Sequence, residues 1–200
     1  FATPESDPGQ REGRQVTLPK MREGGLDMAF FVVYTGQTER TPENYAAAKE
    51  RAAVLFDAIH RLTDEMYPDE IGLALTPDDV ERLHAEGKLA TAIGIENGYS
   101  IGTDLSLMEE YHARGARYFG LTHIGHNDLA DSSIPRENLG DEEEEHGGVS
   151  ELGAQAIAEA NRLGMMVDVS HASGKSAVDA ARLSKAPVIA SHSAVRELAD

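Results

Sequence analysis

Glutamate and histidine side chains follow four successive apolar runs of this sequence. The pairs are LATAIGI (89–95) before Glu96, RYFGL (117–121) before Thr122-His123, MMVDV (165–169) before Ser170-His171, and PVIA (187–190) before Ser191-His192. Three imidazoles and a carboxylate suit Zn²⁺, Mn²⁺ or Fe²⁺ and hydrolytic chemistry. The sequence has no cysteine, so any metal must be held by histidines and carboxylates. The pattern therefore indicates a metal site assembled from four separate parts of the chain.

Parallel strands would bring these four side chains together. The apolar runs show no period-two alternation and are separated by helical segments, which is typical of parallel strands covered on both faces. The carboxyl ends of such strands share one face of the sheet. Glu96 and His192 are 96 positions apart, yet both would lie at that face.

Helices and strands alternate along the predicted fold. The predicted strands span 26–34, 89–95, 117–121, 165–169 and 187–190, and the predicted helices span 41 to about 66, 76 to about 87, 104–114, 150–164 and 173–184. The two Thr-Pro-acid starts at Thr41 and Thr76 are typical helix N-termini. A loop of about 25 residues follows RYFGL, and its length is compatible with a functional or lid role. Its acidic run, residues 141–145, is interpreted as a solvated segment.

The fold class indicated is α/β, in one domain covering residues 1–200. Five strands are visible, whereas a closed eight-stranded barrel takes roughly 250 residues. From the pattern alone, the chain is either an open doubly wound sheet or part of a (β/α)8 TIM-barrel-like fold.

Composition excludes several classes of partner. A formal net charge of −17, from 18 basic and 35 acidic residues, argues against nucleic acid, which requires clustered Lys and Arg. No stretch approaches the roughly 18 consecutive apolar residues needed to span a membrane.

The remaining candidate residues are assigned other roles. His60, His84 and His112 fall on predicted helices and are interpreted as surface or packing residues, while His126 and His146 fall in the long loop and are interpreted as solvated. Asp168 lies inside a strand, three residues before His171. It either orients a ligand from behind or has its carboxylate satisfied by backbone groups.

Five segments of the chain together resemble one enzyme family. They are LPKMREGGLDMAFFVVY, AIGIENGYSI, LMEEYHARGARYFGLTHIGHNDLADSS, GGVSELGAQAIAEANRLGMMVDVSHAS and SKAPVIASHSAVREL, and they cover most of residues 18–198. In this order they are similar to the membrane (renal) dipeptidases, the M19 metallopeptidases, and in particular to bacterial members.

The resemblance implies a (β/α) barrel that binds two zinc ions and hydrolyses dipeptides, in several members with a C-terminal D-residue. It implies that Glu96 bridges both metals and that His171 and His192 bind the second metal. It also implies that His123 contacts the substrate and steadies the oxyanion, and that a water bridging the two metals is the nucleophile. Family members are commonly dimers, so a homodimer is expected as well.

Two features of that family are expected outside this sequence. The His-x-Asp motif for the first metal normally precedes the MREGG segment, and the arginine for the substrate carboxylate follows the SHS segment by about a dozen residues. The 200 residues are therefore expected to be the central portion of a longer protein. The compartment, cytoplasmic or periplasmic for a soluble bacterial protein, is left open by the sequence.

Two other functions stay open on the residues alone. One is a different metal-dependent barrel hydrolase acting on amides, lactones or phosphoesters, because barrels reuse one metal face for many substrates. The other is a non-catalytic barrel that has lost its first metal site.

Overall fold

The computed structural model describes residue 3 and residues 6–195, which form helices alternating with strands. The strands are β1 (Met28–Tyr34), β2 (Ile71–Leu73), β3 (Leu89–Glu96), β4 (Ala116–Gly120) and β5 (Met166–Asp168). The helices are α1 (Leu18–Gly24), α2 (Pro42–Arg61), α3 (Pro77–Ala85), α4 (Ser106–Ala113), α5 (Glu151–Leu163) and α6 (Gly174–Leu183). The predicted α/β fold class is confirmed.

The strand order in the sheet is β1-β3-β4-β5, and β2 pairs with β3. The pairs β2–β3 and β4–β5 are parallel: Ile71 lies opposite Leu89, and Tyr118 lies opposite Met166. Gly120 allows a close approach at the end of β4, because a Cβ there would lie 2.9 Å from the carbonyl oxygen of Ile95.

The chain divides into two compact units, and the prediction of one domain over residues 1–200 is not tested by this division. The first unit comprises residues 1–33 and 53–94, and the second comprises residues 34–52 and 95–200. One core of the first unit consists of Leu18, Met21, Ala58, Leu62, Ile71 and Leu89. In the second unit, α5 packs against α4, α6 and β5.

Local signals account for most helix boundaries. Thr76 and Asp79 form a reciprocal capping box at the start of α3. The side chain of each residue accepts a hydrogen bond from the backbone N–H of the other. Ser150 accepts a hydrogen bond from the backbone N–H of Gly153 at the start of α5. Gly164 then ends α5 at φ 76°, a left-handed conformation that glycine adopts without a steric penalty.

The structure also departs from the predicted elements. The long second helix ends at Arg61 and continues as one π-helical turn, Leu62–Met66. Helix α1 and strand β2, both of which are short, are not among the elements predicted from the sequence. Residues 26–34 were read as a buried strand, but most side chains of β1 are only half-buried and Val33 is the fully buried one. The predicted strand 187–190 is reduced to a parallel bridge between Asp168 and Ile189.

In the described residues, no helix is both long and apolar enough to cross a membrane. Residues 196–198, which end the last of the five family-like segments, lie outside the described part of the chain.

Candidate metal centre

The four predicted site residues lie together in the second unit. Glu96 is the last residue of β3, and its Oε1 atom lies 3.6 Å from Nε2 of His123, 3.3 Å from Nε2 of His171 and 3.4 Å from Nε2 of His192. His123 follows β4 by three residues and His171 follows β5 by three residues. His192 follows Ile189, which is bridged to the end of β5. The expected convergence of strand ends is therefore present.

Glu96, His171 and His192 form a group that could hold a metal ion. One ligand atom from each lies within 4.8 Å of the others, and the Nε2 atoms of His171 and His192 are 2.8 Å apart. We call these three residues the ligand cluster. Their side chains are partly open to solvent, with exposures of 17%, 22% and 47% for Glu96, His171 and His192. Partial exposure leaves room for an incoming ion and a small substrate.

The histidine rings lie in a row, with their planes tilted or edge-on to one another. The ring centroids of His123 and His171 are 4.1 Å apart, and those of His171 and His192 are 4.7 Å apart. Tyr34, at the end of β1, packs on the other side of His123 with a centroid distance of 4.7 Å. Each imidazole is thereby held by an aromatic neighbour as well as by its backbone.

Burial lowers the pKa of His123. Removal from water lowers the pKa of His123 below its ordinary value, and the neighbouring His171 lowers it further, while the charge of Glu96 acts in the opposite direction. A neutral imidazole carries one N–H donor, which can be offered to an oxygen that gains negative charge.

Asp168 orients His192 through a serine. The Ser191 hydroxyl lies 2.5 Å from Oδ2 of Asp168 and 2.8 Å from Nδ1 of His192. Because the hydroxyl donates its single proton to the carboxylate, it accepts the Nδ1–H of His192. The Nε2 lone pair of His192 is then directed at the other two members of the ligand cluster.

The same carboxylate also ties two loops together. Oδ1 of Asp168 accepts hydrogen bonds from the backbone N–H groups of Ser170 and Ser191, each at 3.0 Å. Both alternatives raised for this residue therefore hold, since it orients a histidine and accepts backbone N–H groups. Tyr118 lies nearby, and its pKa is raised by burial and then by the negative charges of Asp168 and Glu96.

His171 adopts a backbone conformation that is rare for a residue with a side chain. Its φ is 65°, in the left-handed region, which costs about 1 kcal/mol for an L-residue other than glycine. Its carbonyl oxygen accepts the backbone N–H of Ser133 at 2.7 Å. The imidazole of this residue lies with its Nε2 3.3 Å from Oε1 of Glu96.

Asn97 links the backbone beside the site to two other segments, although no role was predicted for it. It is fully buried, has φ 80°, and donates from its side-chain amide to the carbonyl oxygen of Thr35 at 3.0 Å. Its Oδ1 accepts from the side-chain amide of Asn127 at 3.1 Å. In the sequence, only its position directly after Glu96 indicated a role at the site. The positive φ of Asn97 is known only from the structure.

Two histidines of the long loop (residues 121–150) are not the solvated side chains that the sequence suggested. His126 is 1% exposed, and its Nε2 lies 2.9 Å from the carbonyl oxygen of Glu142. His146 is half-buried, with Nε2 2.8 Å from the carbonyl oxygen of Asn127. His60, His84 and His112 lie on α2, α3 and α4, as predicted.

The acidic run of this loop, residues 141–145, is exposed at 142–145, but the carboxylates of Asp141 and Glu145 are bound to other residues. Oδ2 of Asp141 accepts the backbone N–H groups of His126 and Arg136, each at 2.8 Å. Glu145 forms a two-bond ion pair with Arg40, at 2.6 and 2.8 Å.

Comparison with known proteins gives consistent matches. The family model described as membrane dipeptidase (peptidase family M19) matches residues 2–200. Dipeptidase aclJ of Aspergillus oryzae is 36% identical over 189 residues, covering 92% of this chain and 43% of the relative. The chain spans less than half the length of the curated relatives compared, between 42% and 45%.

Solved structures give the same result for the fold. The crystal structure of the probable dipeptidase PvdM from Pseudomonas aeruginosa matches with a TM-score of 0.92 and 35% identity, over 99% of this chain and 50% of that one. A metallo peptidase from Rhodobacter sphaeroides, liganded with a phosphinate mimic of the dipeptide L-Ala-D-Ala, matches with a TM-score of 0.69 and 26% identity. That match covers 92% of this chain and 57% of the other. The described fold is therefore part of a TIM-barrel-like architecture.

Proposed function

Because the chain belongs to the membrane dipeptidase family, peptidase family M19, we propose that the full-length protein is a metal-dependent dipeptidase. The observation that carries this proposal is the convergence of Glu96, His171 and His192 on one point, with His123 beside them. These four side chains come from separate segments: one ends β3, two follow β4 and β5, and one follows the bridged residue Ile189. Their assembly supports a catalytic centre over a structural one.

The donor set fits a zinc ion. Tetrahedral zinc with bonds of about 2.0–2.1 Å separates its ligand atoms by roughly 3.3 Å. The distances from Oε1 of Glu96 to the two histidine nitrogens are 3.3 and 3.4 Å, and the nitrogen–nitrogen distance is somewhat shorter at 2.8 Å. Since Nδ1 of His192 is engaged by Ser191, its Nε2 is available as a ligand.

We propose two zinc ions per full-length chain, with Glu96 bridging both and His171 and His192 binding the second. Zinc polarises a carbonyl and lowers the pKa of water, which is the chemistry required to hydrolyse a peptide bond near neutral pH. Glu96 suits the bridging position because its carboxylate offers two oxygens.

His123 is proposed to contact the substrate. Its Nε2 lies 3.6 Å from Oε1 of Glu96, so the ring can donate a hydrogen bond to the oxygen that gains charge as the scissile carbonyl becomes tetrahedral. Asp168 and Ser191 hold His192 in place, and Tyr34 limits the rotation of His123.

The proposed substrate is a dipeptide, with a C-terminal D-residue among those accepted. Support comes from the Rhodobacter sphaeroides relative, whose ligand mimics L-Ala-D-Ala. We also propose that the full-length protein is a homodimer, which light scattering of the purified protein would test.

The deciding experiment measures metal content and hydrolysis on the same sample. Elemental analysis of the full-length protein should find about two zinc ions per chain, and L-Ala-D-Ala or L-Ala-L-Ala should be cleaved until a chelator is added. Bound metal without cleavage of either dipeptide would contradict the dipeptidase proposal. Cleavage that survives complete metal removal would contradict the metal mechanism.

A further inference from the structure

A buried serine joins the backbones of two site histidines. Ser132 is 3% exposed, and its hydroxyl contacts the carbonyl oxygen of His123 in a short hydrogen bond and the carbonyl oxygen of His171 at 3.3 Å. His123 and His171 follow different strands, so this hydroxyl links two elements that are distant in sequence. A change at Ser132 would remove one contact to the backbone of each histidine.

Ser132 is itself held by a histidine of defined tautomer. Its backbone N–H lies 3.0 Å from Nδ1 of His126, so Nδ1 is the acceptor and Nε2 must carry the proton. Nε2 donates that proton to the carbonyl oxygen of Glu142 at 2.9 Å. Both ring nitrogens of His126 are thus used to fix the position of Ser132.

Further bonds hold the same segment beside His171. An antiparallel bridge joins Ser132 to Ala172, and the carbonyl oxygen of Asp131 accepts the backbone N–H of Ser173 at 2.9 Å. A further hydrogen bond runs from the backbone N–H of Ser133 to the carbonyl oxygen of His171. Together these bonds hold His171 without the Ser132 hydroxyl. Replacing the hydroxyl would leave these bonds in place. It would remove the hydrogen bond to the carbonyl oxygen of His123 and the bond that the hydroxyl accepts from the backbone N–H of Ile134 at 3.2 Å.

We propose that Ser132 is a positioning residue for His123, held in place by His126, an inference that rests on the dipeptidase function proposed above. The hydroxyl sets the distance between the His123 ring and the ligand cluster. Catalytic hydrogen bonds depend steeply on such placement, and a displacement near 1 Å can lower the rate by about 100-fold.

The first test is kinetic and uses the full-length protein. Ser132→Ala should lower kcat for L-Ala-D-Ala by about 10- to 100-fold and change KM by less than about threefold, because the proposed contact of His123 strengthens in the transition state. Titration of the metal-free protein with Zn²⁺ should give an affinity within about threefold of wild type. Ser133→Ala is the matched control, because Ser133 is exposed and its backbone N–H bond survives the change.

The second test does not depend on catalysis. In metal-free protein labelled with ¹³C-histidine, Ser132→Ala should shift the His123 ring resonances more than Ser133→Ala does. Ser132→Cys keeps the shape and a weak donor, so it should give a smaller change in the same direction and serves if the alanine variant does not fold.

The outcomes separate the two proposals. His123 resonances and a kcat equal to those of Ser133→Ala would overturn the positioning role. Loss of Zn²⁺ affinity in step with kcat would also overturn it, because the hydroxyl would then act on His171. A wild-type protein that cleaves no dipeptide would instead refute the proposed function, while the resonance shifts would still decide the role of Ser132.

Discussion

The second unit brings histidines next to carboxylates in two places, and the two places differ in how their polar atoms are partnered. In the ligand cluster, Oε1 of Glu96 faces the Nε2 atoms of His171 and His192 directly. In the long loop, His126 lies 3.8 Å from Asp131, and we call these two residues the loop cluster. The side chains of the loop cluster are 0% and 1% exposed.

Every acceptor of the loop cluster is occupied by backbone. Oδ1 of Asp131 accepts the N–H groups of Glu145 and His146, each at 3.0 Å, and Oδ2 accepts the N–H of Gly148 at 2.9 Å. Side chains of the same types therefore serve two purposes. Where their lone pairs are used by N–H groups they hold a loop, and where the lone pairs face one another they can hold a cation.

The largest effect should come from removing a metal ligand. We expect His171→Ala or His192→Ala to lower bound zinc and to reduce kcat/KM for L-Ala-D-Ala by at least about 1,000-fold, because the proposed metal site loses one of its donors. Elemental analysis and initial rates measure both effects. His84→Gln, on the exposed part of α3, is the control and should retain metal and rate. Full activity in either ligand variant would refute the metal assignment.

The next largest effect should come from the loop cluster and should fall on stability. Asp131→Ala leaves one buried and two partly buried N–H groups without this acceptor, and we expect the free energy of unfolding to fall by about 3 kcal/mol. Urea unfolding of the metal-free protein at pH 7 measures it. A change under about 0.5 kcal/mol would show that water replaces the carboxylate.

The pH dependence of the free energy of unfolding should reflect the ionisation of Asp131. Burial would raise the pKa of Asp131, but the N–H groups of His146, Gly148 and Glu145 outweigh it and hold the pKa below its ordinary value of 3.8. The stabilisation is therefore present above the unfolded pKa and is lost as the pH falls through the folded pKa, below about pH 4. Asp131→Asn should lose less stability than wild type between pH 5 and pH 3 in urea unfolding.

A smaller effect should appear behind His192. Ser191→Ala removes the acceptor for Nδ1 of His192, and we expect Zn²⁺ affinity to fall about tenfold with little loss of stability. Calorimetric titration of the metal-free protein measures the affinity, and Ser193→Ala, at an exposed neighbouring position, is the control. Equal affinities in the two variants would show that the ring needs no such orientation.

The smallest effect should come from the ion pair at the edge of the loop. Arg40 and Glu145 are about one-third exposed, so Glu145→Gln should cost only about 0.5 kcal/mol of stability. The difference from wild type should shrink at 1 M salt, because mobile ions screen partly exposed charges. Urea unfolding at 0.1 M and 1 M salt tests this, and a cost that does not change with salt would contradict a Coulombic origin.

The sequence by itself predicted the α/β class, most of the helices and the four residues that meet at the strand ends. Those features are local or periodic: Thr76 with Asp79 caps a helix, and apolar runs without alternation form parallel strands. The place of Glu96 and the three histidines directly after such runs then followed from the common direction of the strands. The short elements α1 and β2 were missed because a few residues carry too little periodic signal.

Only the tertiary structure decided which polar residues hold the site and which hold the loop. The sequence separated His126 in the loop from His171 at a strand end, but it did not show that both nitrogens of His126 are bound to backbone groups while His171 faces a carboxylate. The left-handed backbone at Asn97 and His171 is likewise imposed by contacts distant in sequence. Hydrogen-bond partners between separate segments are set by packing, and no spacing along the chain encodes them.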